Sequence, residues 1–147
     1  MMYITRQHTI SAAHRLFEYG GRCERLHGHN YKICLTLAAG SLNELGMVLD
    51  FGDVKKLLFS ALDEAWDHKT LLFSKDPLLL ALEPILQDGS LCSVPFNPTA
   101  ENMAAYLATT FFPKLLRATG VDTQVCVHAV TVYETDNNCA TWQRSAD

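Results

Sequence analysis

At Asp50 the hydrophobic period of this chain changes from two to about 3.6, and few folds accommodate such a switch. Over residues 28–38, His29, Tyr31, Ile33, Leu35 and Leu37 share one face of an extended chain. Residues 3–14 alternate more loosely, and Tyr3, Ile4, Thr5, Thr9 and Ile10 suit a strand. Gly20-Gly21 marks the loop between the two, and Gly40-Ser41 ends the second.

From Asp50 onward Val54, Leu57, Leu58, Ala61, Leu62, Ala65 and Trp66 recur at helical spacing, with Asp50 as N-cap and Asp53 in the first turn. A second helix follows Pro98, capped by Thr99, with a stripe of Met103, Ala104, Leu107, Ala108, Phe111 and Phe112. Pro113 is expected to kink or end it, and Gly120 to close any continuation. Residues 124–134 are β-branched and read as a third strand, and Cys139–Gln143 as a short fourth beyond the turn at Asp136-Asn137-Asn138. The resulting order β-β-α-α-β-β, without βα alternation, predicts an α+β domain with a largely antiparallel, four-stranded sheet. Residues 72–97, broken by Asp76-Pro77, Asp88-Gly89 and Pro95, form a long connection in which LLLALEPIL suits a short helix.

The 147 residues predict one domain over 1–147, since domains run to roughly 100–200 residues. A net charge of −4 gives no electrostatic reason to bind nucleic acid or an anionic membrane. The longest aliphatic run, Leu78 to Leu82, is far short of the roughly 20 residues that span a bilayer. With no secretory h-region near the N-terminus, the expected compartment is the cytoplasm. Five cysteines, an odd number without CxxC spacing, fit a reducing compartment rather than a disulfide framework.

Three of the six histidines fall between positions 14 and 29. His27 and His29, two apart on a strand, share a face at a separation of roughly 6.6 Å. His14 ends the first strand and could face them across an antiparallel pair. Three neutral imidazoles with an open fourth position is the pattern of a catalytic zinc site rather than a closed structural one. An HxH pair by itself is often coincidence, so the third histidine carries weight. A cupin would place a Glu shortly after the second His, where this chain reads NYKIC, and a zinc deaminase would need HxE with a later CxxC. A hydratase with a histidine-only site stays open.

The segments SAAHRL (11–16), CERLHGHNYK (23–32), GMVLDFGDVK (46–55), DHK (67–69), PTAEN (98–102) and VYET (132–135) together resemble the 6-pyruvoyltetrahydropterin synthase superfamily. Within it they look most like the branch of 6-carboxytetrahydropterin synthases, lyases of the queuosine pathway. The resemblance implies a tunnelling fold, an antiparallel sheet with two helices on one face, assembled as trimers that pair into homohexamers. It implies Zn²⁺ on His14, His27 and His29. The implied substrate is 7,8-dihydroneopterin triphosphate, and the implied products are 6-carboxytetrahydropterin, acetaldehyde and triphosphate.

By the same resemblance Cys23 is the catalytic base, its thiolate favoured by nearby positive charge. Asp67 and His68 form a proton relay that often serves the Cys site of a neighbouring subunit. Glu134 anchors the pterin, whose pyrimidine edge offers two parallel N–H donors to a carboxylate. Thr99 and Glu101 form the second pterin-contacting segment, beside their local roles as cap and first-turn acid. Arg15, Arg22, Arg25 and Lys32 cluster around the proposed site and could meet a triphosphate, whereas His8 and His128 read as ordinary strand or surface residues.

Departures from the family pattern concern the loops. Trp66 and Leu72 stand where Leu and Asn are usual, Ile10 where Phe is common, and the 72–97 connection is longer than in compact members. Three residues separate Cys23 from His27, the spacing of the carboxy branch. YETDNN (133–138) also resembles the pyruvoyl enzymes, which are the alternative, together with a non-catalytic pterin- or metal-binding protein of the same fold.

Overall fold

The two alternating segments pair along their whole length. In the computed structural model, which describes residues 1–146, β1 (Met2–His14) and β2 (His27–Ala39) form an antiparallel ladder from Met2↔Ala39 to His14↔His27. The domain expected over 1–147 thus ends one residue beyond those described. Ile10, Ala12 and His14 on β1 share the buried face with Tyr31, Ile33, Leu35 and Leu37 on β2.

α1 (51–66) starts at Asp50, whose carboxylate accepts from the N–H groups of Gly52 and Asp53. α3 (100–118) starts at Thr99, whose hydroxyl accepts from Asn102 N–H. Each long helix has a wider π-type middle turn, Val54–Phe59 in the first and Leu107–Phe111 in the second. The second wide turn explains why Pro113 does not end its helix. It brings Phe112 N–H to the carbonyl of Leu107, and Pro113 then sits in the opening turn of Phe112–Ala118, where a missing N–H costs nothing. Both helices pack their apolar stripes on one face of the sheet, with Leu58, Phe59, Leu62, Met103, Leu107 and Phe112 buried against the strands.

The sheet departs from the expected four antiparallel strands. It has six, in the order β4-β3-β1-β2-β5-β6. β5 (Cys126–Thr135) and β6 (Asn138–Gln143) continue the antiparallel side. On the other side β3 (Lys69–Phe73) runs parallel to β1, and β4 (Leu91–Val94) parallel to β3. The short helix α2 (Pro77–Leu82) joins them, capped by Asp76. Parallel strands covered on both faces lose their alternation. Leu71 and Leu72, adjacent in sequence, are both fully buried, which hid β3 inside an apolar run. The 72–97 connection therefore carries the end of β3, α2 and β4. No helix among the described residues is long and apolar enough to cross a membrane.

Candidate active site

The β1–β2 register makes His14 and His27 direct cross-strand neighbours and puts His29, opposite Ala12, on the same face. Their ligand-capable atoms all lie within 4.8 Å of one another. His14 Nδ1 is 2.8 Å from the Pro98 carbonyl, and His27 Nδ1 is 2.6 Å from the Arg25 carbonyl. A carbonyl oxygen only accepts, so each Nδ1 carries a proton, and in the neutral imidazole Nε2 is then the atom with the lone pair. The two Nε2 atoms stand 3.2 Å apart. Facing lone pairs at that distance repel one another unless a cation draws on both. Nitrogens about 2.0–2.1 Å from a tetrahedral ion are themselves about 3.3–3.4 Å apart, so the pair fits a metal.

Burial sets the protonation of the cluster. His14 is 1% exposed, and loss of solvation, aided by His27 and His29 and opposed by the Pro98 hydrogen bond, lowers its pKa to about 4. His29 is lowered as well, chiefly by burial, with Glu134 pulling the other way. Both are thus neutral, ligand-ready imidazoles near pH 7. Tyr31 packs edge-on against His14 and His29 and is fully buried, and burial raises its phenol above the usual range.

Beside the cluster lies a cleft of about 560 Å³ lined by Thr99, Glu101 and Glu134 together with Phe17, Tyr19 and Asn138. Thr99 and Glu101 come from the start of α3, and Glu134 from the end of β5. The three predicted pterin contacts, distant in sequence, therefore share one wall. Pro98, whose carbonyl orients His14, immediately precedes them.

Cys23 lies half-buried in a single 3-10 turn, Arg22–Glu24, between the strands. Its carbonyl accepts from Leu16 N–H at 2.7 Å, drawing the loop back toward β1, and a negative charge on its sulfur would reach the Tyr31 phenol. The base of this loop is clamped from the connection. Asn97 bonds both backbone polar groups of Phe17, at 3.0 and 3.2 Å. Arg15 forks onto Asp76, with Nε at 2.7 Å and Nη2 on the second oxygen. That guanidinium holds the buried Asp76 carboxyl below its ordinary range. Arg15 is thereby taken by Asp76 rather than left to meet a phosphate.

Asp67 and His68 are brought together, but away from the cleft. Asp67 accepts from Ser11 N–H at 2.8 Å and pairs with His68 Nδ1 at 2.9 Å. Burial opposes its charge, yet these two bonds win and lower its pKa. His68 takes a left-handed backbone (φ 59°) and leaves its ring 82% exposed. It opens on a depression of about 410 Å³ that His29 of the cluster also lines, with Ser11, Asn30 and Lys69, and that shares no lining residue with the cleft.

Sequence reasoning missed Asp76, Asn97 and Tyr31. Asp76 reads in the sequence as turn punctuation, and Asn97 carries no signal of its own there. Tyr31 was read as a core strand residue, and its place two residues after His29 was the available signal.

The 6-pyruvoyl tetrahydropterin synthase family model matches residues 3–145. A 6-carboxy-5,6,7,8-tetrahydropterin synthase of Rickettsia conorii is 35% identical over 137 residues, 93% of this chain and 96% of that one. The human 6-pyruvoyl tetrahydrobiopterin synthase is 28% identical, over 95% of this chain and 90% of its own. Among solved structures, an uncharacterised protein of Wolinella succinogenes superposes with a TM-score of 0.80 at 24% identity, covering 98% of both chains. With the match running from the first strand to the last, the chain belongs to the 6-pyruvoyl tetrahydropterin synthase family.

Proposed function

We propose that this chain is a zinc-dependent 6-carboxytetrahydropterin synthase, a lyase that converts 7,8-dihydroneopterin triphosphate to 6-carboxytetrahydropterin with release of acetaldehyde and triphosphate. The observation that carries the reading is the adjacency of the three-histidine cluster to a cleft walled by Thr99, Glu101 and Glu134. The Rickettsia relatives that bear this name, 34–35% identical over 93% of the chain, support the carboxy branch.

In this reading Glu134 accepts the two N–H groups of the pyrimidine edge, and Thr99 and Glu101 line the pterin from the helix side. Zinc on His14, His27 and His29, when bound, supplies Lewis acidity toward a side-chain oxygen of the substrate. Cys23 withdraws the proton that starts the side-chain rearrangement. His68, oriented by Asp67, returns one. The exposure of His68, in a depression that shares no lining residue with the cleft, supports a homo-oligomer in which the dyad serves the cleft of another copy, as trimers pairing into hexamers would arrange. The compartment is the cytoplasm, which suits five free thiols.

Product identification tests the reading. Zinc-loaded protein given dihydroneopterin triphosphate should release acetaldehyde, and Cys23→Ala should abolish turnover while the metal stays bound. Triphosphate without acetaldehyde would instead point to the 6-pyruvoyl reaction, the second reading, which the human relative and YETDNN (133–138) favour. Full activity in Cys23→Ala would discard both.

A further inference from the structure

Tyr31 Oη is the one buried side-chain polar atom without a hydrogen-bond partner among the described residues. The residue is 0% exposed, so water does not satisfy it from outside. An orphaned hydroxyl in a core is costly, and a Phe of nearly the same shape would remove the cost. An atom kept in that condition calls for a partner that arrives.

Its surroundings indicate which partner. On β2 Tyr31 follows His27 and His29 at two-residue steps on one face. Its ring stands edge-on to His14 at 5.7 Å and to His29 at 5.4 Å between centroids. One register step beyond Lys32↔Tyr133 brings Tyr31 opposite Glu134, which lines the cleft, so Tyr31 lies directly behind that lining. The groups beside it favour accepting: lone pairs on His14 and His27 and the carboxylate of Glu134. Arg15, the nearest cation along β1, is committed to Asp76. An oxygen-bearing ligand at this place needs a donor, and a phenol donates at neutral pH.

We propose that the Tyr31 hydroxyl donates a hydrogen bond to a hydroxyl or keto oxygen on the side chain at C6 of the bound pterin. This rests on the pterin reading above and extends it, since neither cleft carboxylate can supply that bond. Tyr31 thereby reads the oxygenated side chain, whereas Glu134 reads the ring.

The experiment uses metal-loaded wild type and Tyr31→Phe, with two unreactive probes: neopterin, which carries the hydroxylated side chain, and pterin, which lacks it. Dissociation constants come from ligand fluorescence, with metal content measured on the same samples. Tyr31→Phe should weaken neopterin about tenfold and leave pterin and metal content unchanged. Unchanged neopterin affinity, or an equal loss on both probes, overturns the role of Tyr31 alone. If wild type binds neither probe, the pterin reading fails and this inference falls with it. Should Tyr31→Phe not fold, wild type labelled with ¹³C at tyrosine Cζ gives the same decision. The Tyr31 resonance should move with neopterin and not with pterin, and no differential movement overturns the proposal.

Discussion

The β1–β2 hairpin and the connection from β3 to α3 contribute to the same site in opposite ways. The hairpin presents its chemistry outright: three histidines on one face of an unbroken register. The connection contributes the groups that hold that chemistry still. Asp76 grips Arg15, Asn97 ties down Phe17, and the Pro98 carbonyl fixes the tautomer of His14. Ligands placed by a local repeat thus depend on bracing by residues 61 to 84 positions away. Such outer partners commonly matter to a metal site by factors of about 10–100.

Breaking the hairpin side should have the largest effect. His27→Ala removes one of two facing lone pairs, and metal bound per chain, measured by plasma emission, should fall to near zero. Turnover should drop by roughly 10³-fold, the scale of losing several kcal/mol of Lewis-acid stabilisation, with circular dichroism little changed.

Breaking the connection side should cost stability first. Arg15→Ala strands a carboxylate with a fully buried side chain, and urea unfolding should show a loss of about 3 kcal/mol. Asp76 has a lowered pKa in the folded chain, so its contribution is present above the unfolded carboxyl pKa and fades as pH falls through the folded value. Wild type and Arg15→Ala should therefore converge in stability in strong acid. If their difference is flat with pH, the ion pair is not what joins the two regions.

The hairpin carries a pH signature of its own in a higher window. His14 titrates at about 4 when folded and at its ordinary 6.5 when unfolded. The unfolded chain thus takes up the proton first, and metal-free stability should decline as pH falls from 6.5 toward 4. Full expression of that shift is on the order of 3 kcal/mol. His14→Gln should flatten this part of the profile. The smallest effect belongs to Thr99→Ala, which loses the cap of α3 and should cost about 1 kcal/mol by thermal unfolding.

Legibility followed the same division. The hairpin was readable because one face is buried and the other is not, which writes a period of two into residues 28–38. The caps at Asp50 and Thr99 were readable because a cap is a local bond. β3 was not, since a parallel strand flanked on both sides shows only an apolar run, and β4, a four-residue edge strand, is too short to write a period. Nor could Arg15 be told from a phosphate-binding residue, because its partner lies far along the chain. The left-handed backbone of His68 had no signal in Asp67-His68-Lys69, and it decides which way the dyad opens. Grouping His14, His27 and His29 needed only the register, whereas grouping Thr99 and Glu101 with Glu134 needed the family pattern.

The bond from His14 to the Pro98 carbonyl has a thermodynamic consequence. One peptide unit beyond that carbonyl begins the wall of the cleft at Thr99. A molecule that settles against Thr99 and Glu101 and shifts the backbone there changes how firmly the imidazole is held. The effect must be mutual, because coupling between two sites is a single free energy. Whatever factor such an occupant adds to the grip of the histidines on an ion, the ion returns to the occupant.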